Sequence, residues 1–196
     1  MIDVEQKIPV LAKIKKVIFA DTDTLSTFLW RGQFGYFLKL FEKLQIEVII
    51  PQVVLDELEY NKKTQERLAF PIKRLEKQGK LKILDIDVGS AEYYTYLQLT
   101  EDEGMGKGEA AALSMATHSE CEACVASNNL SDISNYVRAN NIDLWTTARI
   151  IRTCELENIM KKERAEELWK KMVEDGEWLP VENYNDYVNN LDMDEI

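Results

Sequence analysis

The stretch Val17-Ile18-Phe19-Ala20-Asp21-Thr22-Asp23-Thr24-Leu25 changes from apolar to polar at Asp21. Its first four residues predict a short buried strand, and Thr22 or Asp23 is placed to cap a helix that runs to about Trp30. The polar residues therefore follow the carboxyl end of a strand. In parallel α/β folds this edge of the sheet holds the ligand sites, so the stretch predicts both a fold class and the location of its chemistry.

Three further polar clusters occupy similar positions along the chain. They are Leu55-Asp56-Glu57-Leu58, Gly104-Met105-Gly106-Lys107-Gly108-Glu109 and Ser127-Asn128-Asn129-Leu130. The first two supply a carboxylate and the third supplies asparagine. Carboxylates from separate segments that meet at one edge of a parallel sheet make a site for Mg²⁺ or Mn²⁺.

Apolar runs that predict strands alternate with stretches of helical periodicity. Strands are expected at 17–20, 47–50, 81–86, 123–126 and 142–145, and helices at 34–44, 51–60, 65–77, 91–99, 109–118, 130–139 and after 146. This alternation predicts an α/β fold, in which helices flank a central parallel sheet of about four to five strands and extra helices follow at the C-terminal end. We expect a single domain over 1–196, with its core at about 17–150 and a helical extension at about 151–196.

The composition disfavours several classes of protein. A formal net charge of −11 argues against a general nucleic-acid coat protein, and no apolar run approaches the ~20 residues of a membrane span. An odd number of cysteines, three, and the lack of a signal-peptide pattern lead us to expect a reduced, cytoplasmic protein with no membrane contact. The charge is uneven, because Tyr60–Lys82 carries eight basic and two acidic residues while 155–196 carries five basic and thirteen acidic ones. The basic stretch either holds phosphates or forms a solvated helix face.

Each carboxylate has a structural explanation beside the functional one. Helix capping alone explains either Asp21 or Asp23. Glu57 projects at the edge of the apolar face of its helix, near Val53 and Val54, where an unpaired carboxylate is costly. Its partner is either a metal ion or an arginine or lysine in a buried salt bridge.

Glu109 and the two asparagines are open to the same two explanations. Glu109 falls on the inward face of its helix, where a metal or the helix dipole alone accounts for it, and the glycines before it let backbone approach a metal or phosphate. Asn129 and Asp132 have the spacing of a capping box. Alternatively, the amide oxygen of Asn128 or Asn129 is a ligand for a hard cation.

The acidic C-terminal part contains four aromatic residues, Trp169, Trp178, Tyr184 and Tyr187. They either anchor the C-terminal helices on the domain or form a surface for a partner. The sequence gives no further indication of which of the four does either.

The pattern His118-x-x-Cys121-x-x-Cys124, together with Cys154, contains residue types that bind zinc. The pattern spans the end of a predicted helix and the start of a predicted strand, and His118 is the single histidine of the chain. We therefore expect Cys124 and Cys154 to be buried as small apolar side chains. A single histidine also disfavours a Ser-His or Cys-His nucleophile.

In these motifs the chain resembles PIN-domain nucleases, the fold of VapC-like toxins of toxin–antitoxin pairs. Residues 17–25 are similar to the opening strand of that family followed by Asp-Thr-Asn/Ser-x-Leu, and 50–58 to its second acidic motif. Residues 104–110 are similar to Gly-Leu-Gly-x-Gly-Glu-Ala, which is the most specific match, and 125–129 to the strand that ends in Asn-Asp or Asp-Asp. The resemblance covers about 17–188 and extends to longer PIN proteins with C-terminal helices.

The resemblance implies a metal-dependent endoribonuclease that hydrolyses phosphodiester bonds in RNA and acts as the toxin of a toxin–antitoxin pair. It implies that Mg²⁺ or Mn²⁺ is bound by Asp21, Glu57 and Glu109, and that these residues and Asn129 are the catalytic set. Secondary candidates for the site are Asp23, Asn128 and Asp132, and candidates for contact with the RNA backbone are Lys73, Arg74 and Lys107. The implied partners are RNA, a cognate antitoxin and a second copy of the chain in a homodimer.

Two departures from the family pattern keep other functions open. Asn129, or Asn128 in a shifted register, stands where the family has its last acidic ligand, and Trp145-Thr146-Thr147 stands where many relatives have Gly-Thr. Loss of a negative charge weakens divalent binding, for which Asp132 is a possible compensation. The alternative function is a PIN-fold module that binds RNA or protein without cutting. A third is an acidic interaction protein whose carboxylates serve only as caps and ion-pair partners.

Overall fold

Five parallel strands form one sheet in the computed structural model, which describes residues 16–60 and 62–190. The strands are β1 (Lys16–Ala20), β2 (Ile46–Pro51), β3 (Lys82–Leu84), β4 (Glu122–Ala126) and β5 (Asp143–Trp145). Their order is β3-β2-β1-β4-β5, so β1 is central and pairs with β2 on one side and β4 on the other. The prediction of a parallel sheet of four to five strands is confirmed. The strand order reverses direction at β1, and a crevice opens at the carboxyl ends of strands at such a point.

Helices connect the strands and continue after the last one. They are α1 (Thr22–Trp30), α2 (Phe34–Lys43), α3 (Gln52–Glu59), α4 (Lys62–Thr64), α5 (Phe70–Lys77), α6 (Ala91–Leu97), α7 (Lys107–Thr117), α8 (Leu130–Ala139), α9 (Thr147–Leu156), α10 (Lys162–Glu174) and α11 (Tyr184–Asn190). Two π-helical segments lie among them, Gln65–Ala69 between α4 and α5 and Gln98–Asp102 after α6. The predicted helices at 65–77 and 91–99 thus each contain or adjoin a π-helical segment.

The ends of several elements differ from the prediction. Asp21, rather than Thr22 or Asp23, caps α1, because Asp21 has the extended backbone of an N-cap and its carboxylate accepts from the Thr24 amide at 2.8 Å. Pro51 ends β2 instead of starting the next helix. The edge strand β3 pairs with β2 alone over three residues, so it is shorter than the predicted 81–86.

Successive residues of each strand face opposite layers, as the pleat requires. Ile18 and Ala20 belong to an apolar cluster that includes α1, α2, α9 and α10. Val17 and Phe19 belong to a second cluster that includes α7 and α8. Helices therefore cover both faces of the sheet, which is why its strands are nearly continuous apolar runs. The predicted α/β/α arrangement is confirmed.

The C-terminal helices join the first of these clusters through aromatic side chains. Trp169 is fully buried, and its ring centroid lies 5.3 Å from that of Tyr184 and 5.0 Å from that of Tyr187. The Trp169 indole also donates a hydrogen bond to the carbonyl of Val181 at 3.0 Å. These three residues anchor the helices, one of the two explanations left open by the sequence. Trp178 does not share this role, because it is 58% exposed.

In the part of the chain that the structure describes, no helix is both long enough and apolar enough to cross a bilayer. Cys124 and Cys154 are buried as predicted, and burial raises the pKa of each thiol to about 12. His118 contacts the Thr95 hydroxyl at 2.8 Å. Among the described residues, His118, Cys121, Cys124 and Cys154 do not form a group arranged to hold a metal ion.

Replacement of the two C-terminal tryptophans tests the anchoring role of Trp169. We expect Trp169→Ala to lower the free energy of unfolding by about 3–5 kcal/mol, because it leaves a cavity beneath α10 and α11. Trp178→Ala is the matched control and should change it by less than about 0.5 kcal/mol, since the side chain is exposed. Urea unfolding followed by circular dichroism measures both. Equal effects of the two substitutions would contradict the described packing.

Candidate functional site

A cleft of about 350 Å³ opens at the carboxyl edge of the sheet, where β1 and β4 end. It is lined by Asp21, Thr22, Asp23, Glu57, Gly106, Gly108, Glu109, Asn128, Asn129 and Trp178. The structure thus brings together six of the predicted site residues from four separate segments. Two larger hollows, of about 450 and 490 Å³, contact β2 and β3 and contain none of the predicted ligands.

Asp21 is the most buried carboxylate in this cleft. Only 3% of the residue is exposed, and its backbone N–H donates to the carbonyl of Ala126 at 3.0 Å, which ties the end of β1 to the end of β4. Burial raises the pKa of Asp21 to about 6, against hydrogen bonds from the Ser127 hydroxyl and the Thr24 amide that lower it. The helix-capping explanation is correct for Asp21, but capping does not require such deep burial.

Glu57 is exposed to the cleft and is held by two hydrogen bonds. Its carboxylate accepts from the backbone N–H of Gly108 at 3.2 Å and from the hydroxyl of Thr22. Among the described residues, no lysine or arginine forms the salt bridge that the sequence left open for Glu57. The carboxylate of Glu57 on α3 therefore lines the cleft and is oriented by donors from α1 and α7.

Gly108 is required by this close approach of α7 to α1 and α3. A Cβ atom at this position would lie 2.6 Å from Thr22 Oγ1 and 2.8 Å from Glu57 Oε2. Gly106, which also lines the cleft, has no atom within 4 Å of the corresponding position. The sequence led us to expect that the glycines admit a metal or phosphate. In the structure, the lack of a side chain at Gly108 leaves room for the Glu57 carboxylate.

Glu109 lies in the first turn of α7 and is 8% exposed. The Ser127 hydroxyl donates to it at 3.5 Å and the Asn129 amide at 3.4 Å. Asn129 also accepts from the Ser131 hydroxyl at 2.9 Å. Asn129 is therefore the asparagine that faces Glu109, and its neutral amide adjoins a carboxylate where a second carboxylate would repel it.

Asn128 forms hydrogen bonds with different residues from those that Asn129 contacts. Its amide oxygen accepts from the backbone N–H of Thr147 at 2.8 Å, and its amide nitrogen donates to Asp23 at 3.4 Å. Burial raises the pKa of Asp23, while the hydrogen bond from Asn128 lowers it. Asn128 thus connects the start of α9 with the cleft.

The Trp145-Thr146-Thr147 departure from the family pattern has a structural role here. The Trp145 ring packs edge-on against Phe41 at 5.1 Å between centroids, and the guanidinium of Arg149 lies 4.3 Å from the Trp145 centroid. Thr146 caps α9 by accepting from the Arg149 amide at 3.2 Å. The segment therefore fixes the start of α9, which in turn positions Asn128.

The donor set of the cleft suits a hard divalent cation, because Mg²⁺ and Mn²⁺ prefer carboxylate and amide oxygens. No lysine or arginine is among the described residues that line the cleft. Within residues 16–60 and 62–190, however, no three carboxylate, thiol or imidazole groups are arranged to hold a metal ion. In the conformation described, the cleft carboxylates are therefore not yet arranged as a set of three ligands. The side chain of the secondary candidate Asp132 lies outside the described part of the chain.

The predicted RNA-contacting residues do not line the cleft. Lys73 forms an ion pair with Glu59 at 2.5 Å, Arg74 is exposed on α5, and Lys107 is exposed at the start of α7, between two glycines of the cleft. Of the three, Lys107 is the one next to the cleft in the chain.

Sequence reasoning did not include Thr22, Ser127 or Trp178 among the site residues. Thr22 and Ser127 lie within the quoted motifs, and their hydroxyls contact the carboxylates of Glu57 and Glu109. Their positions beside strand ends were a usable signal. Trp178 lies in the loop between α10 and α11, and no local pattern indicates that this loop returns to the cleft.

Comparison with known proteins identifies a family and a similar structure. The family model described as "DUF3368: PIN domain" matches residues 18–192. The chain is also similar to a chain in the crystal structure of VapBC2 from Rickettsia felis bound to a DNA fragment from their promoter. That similarity has a TM-score of 0.48 and 22% identity and covers 66% of this chain and 98% of the other. No curated protein matches significantly.

Alanine substitutions at the two cleft glycines test whether a Cβ atom at position 108 disturbs the cleft by crowding Thr22 and Glu57. We expect Gly108→Ala to weaken Mn²⁺ binding by about 10–100-fold, the range found when groups that orient ligands are disturbed, because the new Cβ displaces Thr22 and Glu57. Stability should stay within about 1 kcal/mol, since alanine favours the helix. Gly106→Ala is the matched control and should bind as wild type does. Calorimetric titration with Mn²⁺ and urea unfolding provide the measurements, and equal affinities of the two variants would refute the crowding.

Burial of Asp21 predicts a pH dependence of stability in the metal-free protein. Because its pKa rises from 3.8 to about 6 on folding, the folded state holds more protons than the unfolded state between these values. The contribution of Asp21 to stability is therefore present at low pH and is lost as pH rises through about 6, by up to about 3 kcal/mol. Asparagine caps a helix as well as aspartate does. Asp21→Asn should accordingly be more stable than wild type at pH 7.5 in EDTA, with the difference shrinking toward pH 4.5.

Urea unfolding at both pH values tests this expectation by comparing Asp21→Asn with wild type. Asp56→Asn, which removes an exposed carboxylate of α3, is the matched control. A destabilised Asp21→Asn at pH 7.5 would mean that the carboxylate is stabilising as a charge and would overturn the prediction.

Proposed function

The chain belongs to the PIN-domain family DUF3368, and from this premise we propose that it is an endoribonuclease dependent on Mg²⁺ or Mn²⁺. The observation that carries the proposal is the single cleft that collects Asp21, Glu57, Glu109 and Asn129 at the carboxyl edge of the sheet. The class of reaction is hydrolysis of a phosphodiester bond.

The charge of the cleft supports a role for a cation. Asp21 and Glu109 are both buried, and both lie beside the Ser127 hydroxyl. The Glu57 carboxylate is close to them, because it accepts a hydrogen bond from the backbone N–H of Gly108, the residue before Glu109. Ionised carboxylates are costly to bury, and a bound divalent cation lowers that cost. When bound, such an ion supplies charge neutralisation at the phosphate and activation of water.

The residues of the chain supply orientation. The Thr24 amide orients Asp21, the Gly108 amide orients Glu57, and Asn129 orients Glu109. Each carboxylate is thus oriented by a donor from a different segment of the chain.

Basic residues outside the cleft are proposed to hold the RNA backbone. Lys107 is exposed beside the cleft, and Lys73 and Arg74 lie on α5. Contacts of this kind position a phosphate backbone but do not read sequence. They also offset the repulsion between RNA and a chain of net charge −11.

The proposed partners follow from family membership. VapC-like PIN proteins act as toxins beside an antitoxin, so we propose a cognate antitoxin and a homodimer for this chain in a cytoplasmic setting. The crystal structure from Rickettsia felis contains VapBC2 with promoter DNA. Its similarity to this chain is too low to argue for the same assembly.

A second candidate function is supported by the contact between Asn129 and Glu109. A neutral amide at this position removes one negative charge from the site and satisfies Glu109 by a hydrogen bond at 3.4 Å. Both effects reduce the need for a cation. The chain would then be a PIN-fold module that binds RNA or protein without hydrolysis.

Cleavage of mixed structured RNAs in Mn²⁺, Mg²⁺ or EDTA distinguishes the two candidates. We expect wild type to cut in Mn²⁺ or Mg²⁺ and not in EDTA, and Asp21→Asn to lose more than about 100-fold in rate because a ligand carboxylate is gone. Asn129→Asp should bind Mn²⁺ about tenfold more tightly through its added charge. Asp56→Asn is the matched control for an exposed carboxylate.

The pattern of activities decides between the functions. Cutting by wild type that is lost in Asp21→Asn supports the nuclease and shows that asparagine at position 129 is tolerated. If wild type does not cleave RNA but Asn129→Asp does, the binding module is favoured. Silence from all variants would reject hydrolysis and move the function to interaction.

A further inference from the structure

We propose that the hollow of about 490 Å³ beside the edge strand β3 is the docking site of this chain's own amino-terminal segment, residues 7–15. This edge hollow is lined by β1, β2, β3 and the end of α7 and lies outside the cleft. Residues 7–15 belong to the part of the chain that the structure does not describe. They also precede the family match, which begins at residue 18, so family membership does not account for them.

The floor of the edge hollow is apolar. Val17, Phe19 and Ile49 line it from β1 and β2 and belong to the apolar cluster on this face of the sheet. Leu84, on β3, also lines it and is 40% exposed. Within the described residues β3 pairs with β2 alone, so the outer side of β3 is an open edge. Exposed apolar side chains beside an open sheet edge favour contact with another segment of chain.

The rim of the edge hollow is acidic. Five carboxylates and one lysine line it: Glu47, Asp85, Asp87, Glu92, Glu120 and Lys82. Lys82 forms an ion pair with Glu47 at 2.9 Å. In residues 16–60 and 62–190, no lysine or arginine forms an ion pair with any of the other four carboxylates. A ligand of this hollow should therefore combine positive charge with apolar side chains.

The sequence of the amino-terminal segment has this combination. Its residues are Lys7-Ile8-Pro9-Val10-Leu11-Ala12-Lys13-Ile14-Lys15, with three lysines, no acidic residue and six apolar residues. Every even-numbered position is apolar and every lysine is odd-numbered. On an extended backbone, alternate side chains point to opposite sides. The pattern thus matches an apolar floor on one side and an acidic rim on the other.

The segment is joined directly to the edge hollow. Lys16 starts β1, and Val17, the next residue, already lines the hollow. Nine extended residues reach about 30 Å, whereas β3 lies two strand spacings, or about 10 Å, from β1. A tethered segment has an effective concentration on the order of millimolar, which favours it over a second copy in solution.

Other acidic side chains are less suited to receive these lysines. Asp175 and Glu177 both pair with the guanidinium of Arg31, at 2.8 and 3.0 Å, and the Arg31 side chain is only 6% exposed. This group, here termed the Arg31 clamp, fastens the loop between α10 and α11 to the end of α1. Three carboxylates of α10 pair with basic residues of the same helix: Glu166, Glu167 and Glu174. Their charges are thus already balanced, unlike those at the rim of the edge hollow.

The thiol of Cys121 reports whether the edge hollow is occupied. Cys121 lines the hollow and is half-buried, whereas Cys124 and Cys154 are fully buried. The full chain is treated with the neutral reagent N-ethylmaleimide, and mass spectrometry of its peptides gives the rate at each cysteine. A docked segment shields Cys121, so the rate rises with the fraction of molecules in which the segment is displaced. The two buried thiols report any loss of the fold itself.

Reversal of two lysine charges should displace the segment. We expect Lys13→Glu/Lys15→Glu to raise the Cys121 rate about tenfold, because attraction to the acidic rim becomes repulsion. Lys62→Glu/Lys77→Glu makes the same change of net charge at exposed lysines outside the hollow and is the matched control. Its rate should stay within about twofold of wild type, because salt screens distant charges.

Charge reversal on the rim is the complementary arm. Asp85→Lys/Asp87→Lys should also raise the Cys121 rate about tenfold. Combined with Lys13→Glu/Lys15→Glu, it should return the rate to within about threefold of wild type, because the opposite charges face each other again. Two pairs of substitutions that merely damaged the fold would add their effects instead.

A cross-link identifies the source of the segment. Ile14→Cys places a thiol in the segment, and a short bismaleimide should join it to Cys121 in a product of monomer mass. A product of dimer mass would assign the hollow to a second copy and overturn the proposal. Equal rates for Lys13→Glu/Lys15→Glu and its control, or no recovery in the combined variant, would overturn it as well. RNA cleavage enters neither measurement, so this proposal and the nuclease can fail separately.

Discussion

Burial of the Asp21 carboxylate at the end of the central strand is the constraint to which the rest of the cleft responds. A desolvated carboxylate needs hydrogen-bond donors, and the Thr24 amide and the Ser127 hydroxyl provide them. Ser127 follows β4, and its hydroxyl also lies 3.5 Å from a Glu109 carboxylate oxygen, so its single proton serves one of the two acidic groups at a time. The cleft is thus a network of carboxylates kept apart and oriented by neutral donors, with no cationic side chain among its described lining residues.

The layered fold was predictable because its elements carry strong local signals. The apolar runs at 17–20 and 123–126 stop at polar residues, and α8 has the predicted bounds Leu130–Ala139. Sequence patterns predicted less well where tertiary contacts determine the backbone conformation. The π-helical segment Gln65–Ala69 reads as ordinary helix in the sequence, and β3 is limited by its single neighbour β2. The cap of α1 lies before the two predicted residues, because capping depends on backbone angles that the sequence does not specify.

The cleft was predictable in its acidic residues and less so in their surroundings. Asp21 and Glu57 follow the ends of neighbouring parallel strands, so topology brings them to one edge of the sheet. Glu109 follows no strand directly and reaches the same edge from the first turn of α7. The chemical roles of these residues stay predictions. Lys73 shows where charge counting fails, since its ion pair with Glu59 is a tertiary contact. Trp178 reaches the cleft by a loop whose path depends on Arg31, and no spacing rule connects those two residues.

The Arg31 clamp also sets the order in which the chain can complete its cleft during synthesis. Arg31 and Glu177 are separated by 146 positions, so the ribosome must add that length before the pair can form. At typical rates of translation this takes on the order of ten seconds. The sheet and the carboxylates up to Glu109 emerge earlier, while Trp178, which also lines the cleft, emerges late. A nascent chain therefore carries its acidic cleft residues for some time before the loop that completes the lining of the cleft exists.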